Sequence, residues 1–449
     1  EIYSIIIKIL KKVFYFSKNK DLLIRSISIS SVGEAGVPID NNLKALTDII
    51  PWYDQRTENI RNNFLQKNKN FNIYKNTGLN SDHFYSAYKI LWIKKNKLNI
   101  YKKIYKWLPV NDYYSMRLTG SISTDYSQAM RTLLFDPKKL KWSKIMIKKF
   151  GLKQNILPEI INAGDKKGIF NKKIKKILGI NYDCIVGAGG HDHFVGIYGL
   201  GGFYKNTIVN SLGSAEAISI NTDKYLINNK LKNGKFISGV FKTKDRTSFY
   251  IVGSILTSGI IIDWFIKNFN IKNFEELNNM SLNFKNKNIL FFPQFEYSHS
   301  PINSLKTKGA IMGIDRSTAI EDIYSSILRC LTFDTKNALD FMTNNSKIKI
   351  KKIISSGGSV KNKNWMKLRA NILDHNIYID KNIENVSLGS AILAGIACNI
   401  YKNEKDAFTK IKNNLEIIKK DKNKINENYI LFNKYKSSIK KIIELNKIL

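Results

Sequence analysis

The densest group of side chains able to move a proton lies at Gly187-Ala188-Gly189-Gly190-His191-Asp192-His193. An aspartate between two histidines, on a run nearly bare of side chains, lets a bulky ligand approach the backbone and offers a carboxylate that can take a proton. The same residues also make an ordinary helix start, with Asp192 capping a helix that begins at Phe194. A metal reading of His191 and His193 has less behind it, because side chains at i and i+2 diverge outside a strand and no third ligand stands nearby. A second signal is Asn210-Ser211-Leu212-Gly213-Ser214-Ala215-Glu216, where free backbone N–H groups and Ser214 suit a phosphate oxygen, or where the chain simply turns between two strands. A third is Ser355-Ser356-Gly357-Gly358-Ser359-Val360-Lys361-Asn362, leading into a helix near Trp365. A strand, a diglycine and a helix N-terminus together suit an anion or a nucleotide. This run is neither a P-loop nor a dinucleotide fingerprint, lacking the Gly-Lys-Ser/Thr end and the third glycine. Trp52-Tyr53-Asp54-Gln55-Arg56-Thr57 and the stretch from Leu118 to Thr132 mix aromatics with charged and hydroxyl groups, as sugar-binding surfaces and plain polar loops both do.

Strands and helices must alternate to present these runs. Ile2 to Phe16 has helical period with a lysine face, and Leu23 to Val32 reads as a strand ending in Gly33-Glu34-Ala35-Gly36, which puts Glu34 on a tight turn. Val37 and Ile39 run on into a hairpin tip at Asp40-Asn41-Asn42. Helices are expected over 59–67, 84–95 and 101–118, the last punctuated by Pro109 and stopped at Gly120. Residues 207–220 read as strand, turn, strand; 251–269 turns helical; 322–342 is a long helix; 348–355 is a strand; 364–373 and 387–400 are helices. The lysine-rich tail from Asn403 reads as a solvated pair of amphipathic helices. The class is α/β, and a boundary falls in the glycine-rich stretch near residue 200.

With 449 residues, 43% hydrophobic, the chain has length for two or three domains and ample core, which excludes a small stapled module and global disorder. Cys184, Cys330 and Cys398 are too far apart for a disulfide framework or a cysteine zinc site. Lys plus Arg number 73 against 36 acidic residues, a net charge of +37, yet only nine are arginine and the lysines are scattered among Asn and Ile. That pattern fits a codon bias better than nucleic-acid binding, since arginine is the residue that forks onto phosphates and guanine edges. No apolar run is long enough to span a membrane, Asp263 interrupting the longest, and the start is not a signal peptide. A cytoplasmic protein with neither a nucleic-acid nor a membrane partner is expected. The first residue is Glu, already inside a helix, which predicts a fragment or a processed product.

Taken in order and spacing, these pieces resemble the FGGY family of carbohydrate kinases over Ile27 to about Ile400. The resemblance runs through Gly33-Glu34-Ala35-Gly36-Val37-Pro38-Ile39-Asp40, Trp52 to Thr57, Leu118 to Gly120, Thr124 to Thr132, Gly190 to Gly196, Asn210 to Ala215, Gly259 with Trp264, Gly357 to Asn362 and Leu388-Gly389-Ser390-Ala391. It implies a two-lobed actin-like, ribonuclease H-like ATPase fold with the active site in the interlobe cleft. Residues 1–200 would be an N-terminally truncated sugar-binding lobe, and 201–449 a nucleotide-binding lobe with the helical tail, hinged near Gly199–Gly202. ATP and Mg²⁺ are the implied cofactors, and a small sugar or polyol is the implied partner. Asp192 would be the general base, touching the metal only indirectly through Mg-ATP. Glu34 would bind substrate hydroxyls, Tyr126 would line the sugar site, and His193 would supply a polar substrate contact. Gly213 and Ser214 match the second phosphate turn, Gly259 lies against the nucleotide, Gly357 and Gly358 match the adenosine motif, and Asn362 would reach the adenine. The resemblance also allows a homodimer.

Three departures refine that expectation. The family opens with an Asp-x-Gly-Thr-Thr phosphate hairpin that nothing before Glu1 supplies, so the alternative is a catalytically inactive, truncated sugar- and nucleotide-binding remnant. Arg329-Cys330 stands where the family commonly has Glu-Gly, an arginine tolerated at the surface or marking relaxed selection. Gly33 replaces the arginine of the glycerol branch, and Gly-Glu-Ala-Gly does not match the Met-His pair of the xylulokinase branch, which leaves a ketose or longer polyol as substrate.

Overall fold

The computed structural model describes residues 1–281, 288–295, 300–302, 307–380, 384–411, 415–446 and 448. They form two compact units. The first takes Glu1–Gly201 together with Gly239–Phe249 and Glu384–Lys412; the second takes Gly202–Ser238, Tyr250–Ile383 and Asn413–Leu449.

The first unit is built on a three-stranded sheet in which Ser26–Ser31 runs parallel to Ile185–His191, with Lys166–Ile169 antiparallel on the far side. Strand alternation sends Ile27 and Ile29 to one face and Ser26 and Ser30 to the other. The isoleucines pack with Leu10 and Phe14 of the helix Ile2–Lys18 and with Phe170, Ile174 and Val186. Each fully buried aliphatic or phenyl side chain there contributes about 1.5–3 kcal/mol. On the other face, Ser26 Oγ donates to the Ala394 carbonyl at 2.7 Å, and the Ser30 and Ser390 hydroxyls lie 2.8 Å apart, so the small-residue helix Asn385–Ala397 sits tight on the sheet. Glycine permits that approach: a Cβ on the strand residue Gly187 would lie 2.7 Å from the Ala397 Cβ. A helix nearly two hundred residues downstream therefore completes this core.

Helical period misleads between Tyr101 and Leu118. Lys106–Pro109 is a strand paired antiparallel with Gly36–Ile39, between the helices Leu98–Lys103 and Val110–Thr119. Pro109 has no N–H to give a helix interior, Leu108 buries with Val37 and Ile39, and Trp107 buries over Gly36.

The second unit carries most of a seven-stranded sheet. Its centre, Thr207–Leu212, pairs antiparallel with Glu216–Thr222 and parallel with Lys352–Ser356, which is followed by Ile377–Asp380. Leu415–Ile418 closes one edge antiparallel to Ile377–Asp380, so the lysine-rich tail holds the two expected helices, Glu404–Lys410 and Ile425–Leu445, with an unforeseen strand between them. The composition hid that strand, because four residues, Leu-Glu-Ile-Ile, are all that mark it. The 27-residue helix Ile320–Ser346 packs on the sheet, and Trp365 Nε1 donates to its Leu328 carbonyl and Thr332 hydroxyl at 3.0 Å. Of the two readings of Arg329, a place at the surface is excluded: the residue is 3% exposed, and the charges of Glu427 and Asp322 oppose the burial that lowers its pKa.

Candidate functional site

In the first unit the Ser26–Ser31 strand ends in a turn that holds Glu34 at φ 60°, a left-handed conformation rare outside glycine. Arg131 grips Glu34 Oε1 through both Nε and Nη2 and lies over the Tyr85 ring, 5.3 Å from its centroid. No hydrogen bond occupies Oε2 among the described residues. Gly33 is where a side chain cannot be, since a Cβ would stand 2.3 Å from His191 Cδ2. The turn and the His191-Asp192 run are thereby brought side by side.

Asp192 opens the helix Asp192–Gly199, starting two residues before Phe194, where the sequence suggested. Its Oδ1 accepts the His193 N–H at 2.6 Å, and burial raises its pKa against the opposing pull of that bond and of Arg131. The side chain is still 36% exposed, so a ligand can reach the carboxylate. The backbone beneath it is pinned: the His191 N–H donates to Ser127 Oγ at 2.9 Å, and Ser127 Oγ in turn donates to Asp125 Oδ1. Asp125 also caps the helix Tyr126–Met130 by accepting the Ser127 N–H at 2.7 Å. A Cβ on Gly190 would fall 2.6 Å from Ser127 Oγ, so glycine there lets the strand sit down on this anchor.

His193 is pushed down to about 4, and His191 well below its ordinary range, by burial and the Arg131 charge. Both rings are neutral at neutral pH, with centroids 6.3 Å apart. Tyr126 is half-buried, with Phe135 edge-on at 5.8 Å and Lys242 Nζ 5.3 Å from its centroid. Glu34, Asp192 and His193 thus share one charge, Arg131, while Tyr126 enters through the Asp125-Ser127 anchor that brackets it in sequence. Sequence reading had Arg131 only as one member of a polar stretch, and it assigned no role to Ser127 or Asp125. A short Asx cap gives little signal in a chain this rich in polar residues.

In the second unit a cavity of about 450 Å³ is lined by Gly213, Ser214, Gly259, Gly358 and Asn362 together. The Gly213-Ser214 turn clasps the start of the helix Gly259–Asn268: the Gly259 N–H donates to the Gly213 carbonyl at 3.1 Å, and the Ile260 N–H donates to that of Ser214 at 3.1 Å. Gly357, at φ 101°, passes so close to Leu212 that a Cβ would lie 2.4 Å from its carbonyl oxygen. Asn362 Oδ1 caps the helix Lys363–Leu373, accepting the Trp365 N–H at 2.9 Å. Asp263, Asn278, Tyr324, Lys361 and Trp365 complete the wall and were not foreseen as site residues. Tyr324 comes from the long helix, which sequence spacing cannot relate to the glycine turns.

Behind the Gly213-Ser214 turn lies a fully buried ion pair. Arg369 Nη2 donates to Glu216 Oε1 and Asn210 Oδ1 at 2.8 Å each and to Thr335 Oγ1 at 3.1 Å, tying both flanks of the turn to two helices. Among the described residues, no group of three or more His, Cys, Asp or Glu side chains converges to hold a metal ion.

Gly259→Ala is expected to cost about 1–3 kcal/mol of stability by overpacking. Its new Cβ would stand 2.5 Å from the Gly213 carbonyl oxygen and open the turn. Thermal unfolding and ADP titration together check this, and unchanged ADP affinity would count against the turn as a phosphate site.

The two α/β units, each built on a sheet with parallel strands, share the two-domain actin-like, ribonuclease H-like fold of their structural neighbours. The N-terminal domain model of the FGGY family of carbohydrate kinases matches residues 1–199 and the C-terminal domain model matches 208–398. The chain belongs to the FGGY family of carbohydrate kinases. A xylulose kinase of Staphylococcus xylosus is 26% identical over 404 residues, covering 88% of this chain and 80% of that protein. A glycerol kinase of Thermococcus kodakarensis is 25% identical over 412 residues, covering 90% and 81%. Among solved structures, Plasmodium falciparum glycerol kinase with ADP superposes with a TM-score of 0.87 at 24% identity, covering 96% of this chain and 87% of that one. Gluconate kinase from Lactobacillus acidophilus gives 0.87 at 20% identity, covering 98% and 89%.

Proposed function

We propose that this enzyme transfers the γ-phosphoryl group of ATP to a hydroxyl of a ketose or a polyol longer than glycerol, with Asp192 as general base. The observation that carries the reading is the Asp192 carboxylate: partly exposed, raised in pKa, and fixed at a helix start whose backbone is anchored to Ser127. The substrate hydroxyl gives its proton to Asp192 as its oxygen bonds to the γ-phosphorus, and the bond from that phosphorus to the β–γ bridging oxygen breaks, releasing ADP. Residues 1–200 serve the sugar and 201–449 the nucleotide. Glu34, paired with Arg131 through Oε1, accepts hydroxyl hydrogens at Oε2. His193, neutral, contributes a ring nitrogen, and Tyr126 a wall. Backbone N–H groups at Gly213 and Ser214 hold phosphate oxygens, Gly259, Gly357 and Gly358 admit the nucleotide, and Asn362 meets the adenine beside its capping role.

Mg²⁺ fits the donor set only as a rider on the nucleotide phosphates, where it would neutralise charge, with Asp192 reaching it indirectly. The similar relatives carry the names of xylulose and glycerol kinases. The bare Gly33, covered by the His191 ring, leaves no side chain there to grip a short triol, which favours a longer substrate.

The test is ADP release from MgATP across ketopentoses, deoxyketoses, tetritols, pentitols and glycerol. Stimulation by a ketose or longer polyol supports the reading. Stimulation by glycerol alone overturns the substrate class, and none by any of them overturns the activity.

A further inference from the structure

Lys89, on the helix Ser86–Asn96, is wholly buried. A lysine whose only business is packing lays its stem along the core and brings its ammonium out to water. This one does the opposite: its Nζ donates to the backbone carbonyls of Glu34 at 2.6 Å, Pro51 at 2.8 Å and Ile50 at 3.4 Å. Burial drives its pKa down to about 8, resisted by the charges of Glu34 and Asp54 and assisted by that of Arg56. Burying a charge is costly unless it is paired and hydrogen-bonded, and here main-chain oxygens supply the hydrogen bonds.

What it fixes is the turn at Glu34. The Glu34 backbone is left-handed, a state an ordinary side chain leaves readily unless its surroundings over-determine it. Two backbone bonds, Gly36 N–H to the Ile50 carbonyl at 3.2 Å and Ile50 N–H to that of Gly36 at 2.9 Å, hold the following strand to the 50–51 segment. Neither holds Glu34 itself. Lys89 closes that gap, joining the Glu34 carbonyl to the same segment and leaving its carboxylate with Arg131.

We propose that Lys89 is a positioning residue for the sugar: its ammonium locks the Glu34 carbonyl so that the Glu34 carboxylate faces Arg131 and the substrate hydroxyls. The inference rests on the reading of Glu34 as a sugar contact. It makes Lys89 specific to the sugar side, with no part in nucleotide binding.

The test uses the full chain and the variant Lys89→Met, which keeps the stem and removes the donors. Should that variant not fold, Lys89→Gln carries the same comparison. Amide hydrogen exchange is followed without ligand, and D-xylulose, glycerol and MgADP are titrated calorimetrically. Exchange at 33–36 is expected to quicken by about tenfold, as for loss of a charge-assisted bond. Affinity for whichever sugar the parent binds falls by about tenfold or more. MgADP affinity stays within about twofold, the scatter expected between uncoupled sites. Unchanged exchange at 33–36 in a folded variant overturns the proposal, and so does an equal loss of sugar and nucleotide affinity. A parent that binds neither sugar counts against the substrate reading alone, and the exchange result still decides the role of Lys89.

Discussion

Asp192→Asn is expected to lower kcat by roughly 10²- to 10⁴-fold, the range for removing a general base. Asparagine keeps the shape and can still accept the His193 N–H, so the helix start stays intact and the loss belongs to the proton transfer. KM for ATP should hold, because the glycine turns we assign to the phosphates lie in the other unit. The wild-type pH profile gives an independent check. Burial raises the Asp192 carboxyl above the ordinary 3.8, so the basic form fills above that raised value and kcat falls as pH drops through it. The acid limb is therefore expected to have its midpoint above that of a free aspartate and to vanish from the residual rate of Asp192→Asn. A variant with full activity would remove Asp192 from the mechanism.

Arg369→Leu is expected to destabilise the second unit by about 3–5 kcal/mol, the cost of leaving a buried charge without its partner. Glu216 would keep the Asn210 amide and the Thr335 hydroxyl as donors, at 2.7 and 2.8 Å, but neither carries charge. Removing both charges is a different matter, since replacing an entire buried pair by apolar groups is often neutral. Arg369→Leu with Glu216→Ala should thus be more stable than Arg369→Leu alone. Denaturant midpoints of the two variants measure the difference; a double variant less stable than the single would show that Glu216 is satisfied without Arg369.

The elements with strong period or strong punctuation could be read before the structure: the lysine-faced first helix, the Glu34 turn, the glycine run ahead of Asp192 and the diglycine after Ser356. Their chemistry is local, so a few adjacent residues reveal it. What escaped reading was set by partners distant in sequence. Lys89 is one of many lysines in a chain biased toward them, and only the carbonyls of residues 34, 50 and 51 single it out. Arg369 looks like one more helix surface cation until Glu216 is placed beside it. Arg329 could be read as a surface arginine, whereas it is buried, its burial offset by Asp322 on its own helix and by Glu427 nearly a hundred residues on. Lys106–Pro109 became a strand because Gly36–Ile39 needed a neighbour, a demand no window around Pro109 contains.

The helix Asn385–Ala397 has a bearing on how the chain is made. The ribosome delivers the sheet of Ser26–Ser31 and Ile185–His191 long before the helix that covers its serine face. At about 5–20 residues per second, the stretch between Gly201 and Glu384 corresponds to roughly ten to forty seconds of synthesis. During that interval Ser26, Ser30 and the glycines shaped to receive the helix face water or a chaperone. Vectorial folding of the first unit is consequently incomplete until the second has been almost entirely translated, and a ribosome stalled between them displays an unfinished core.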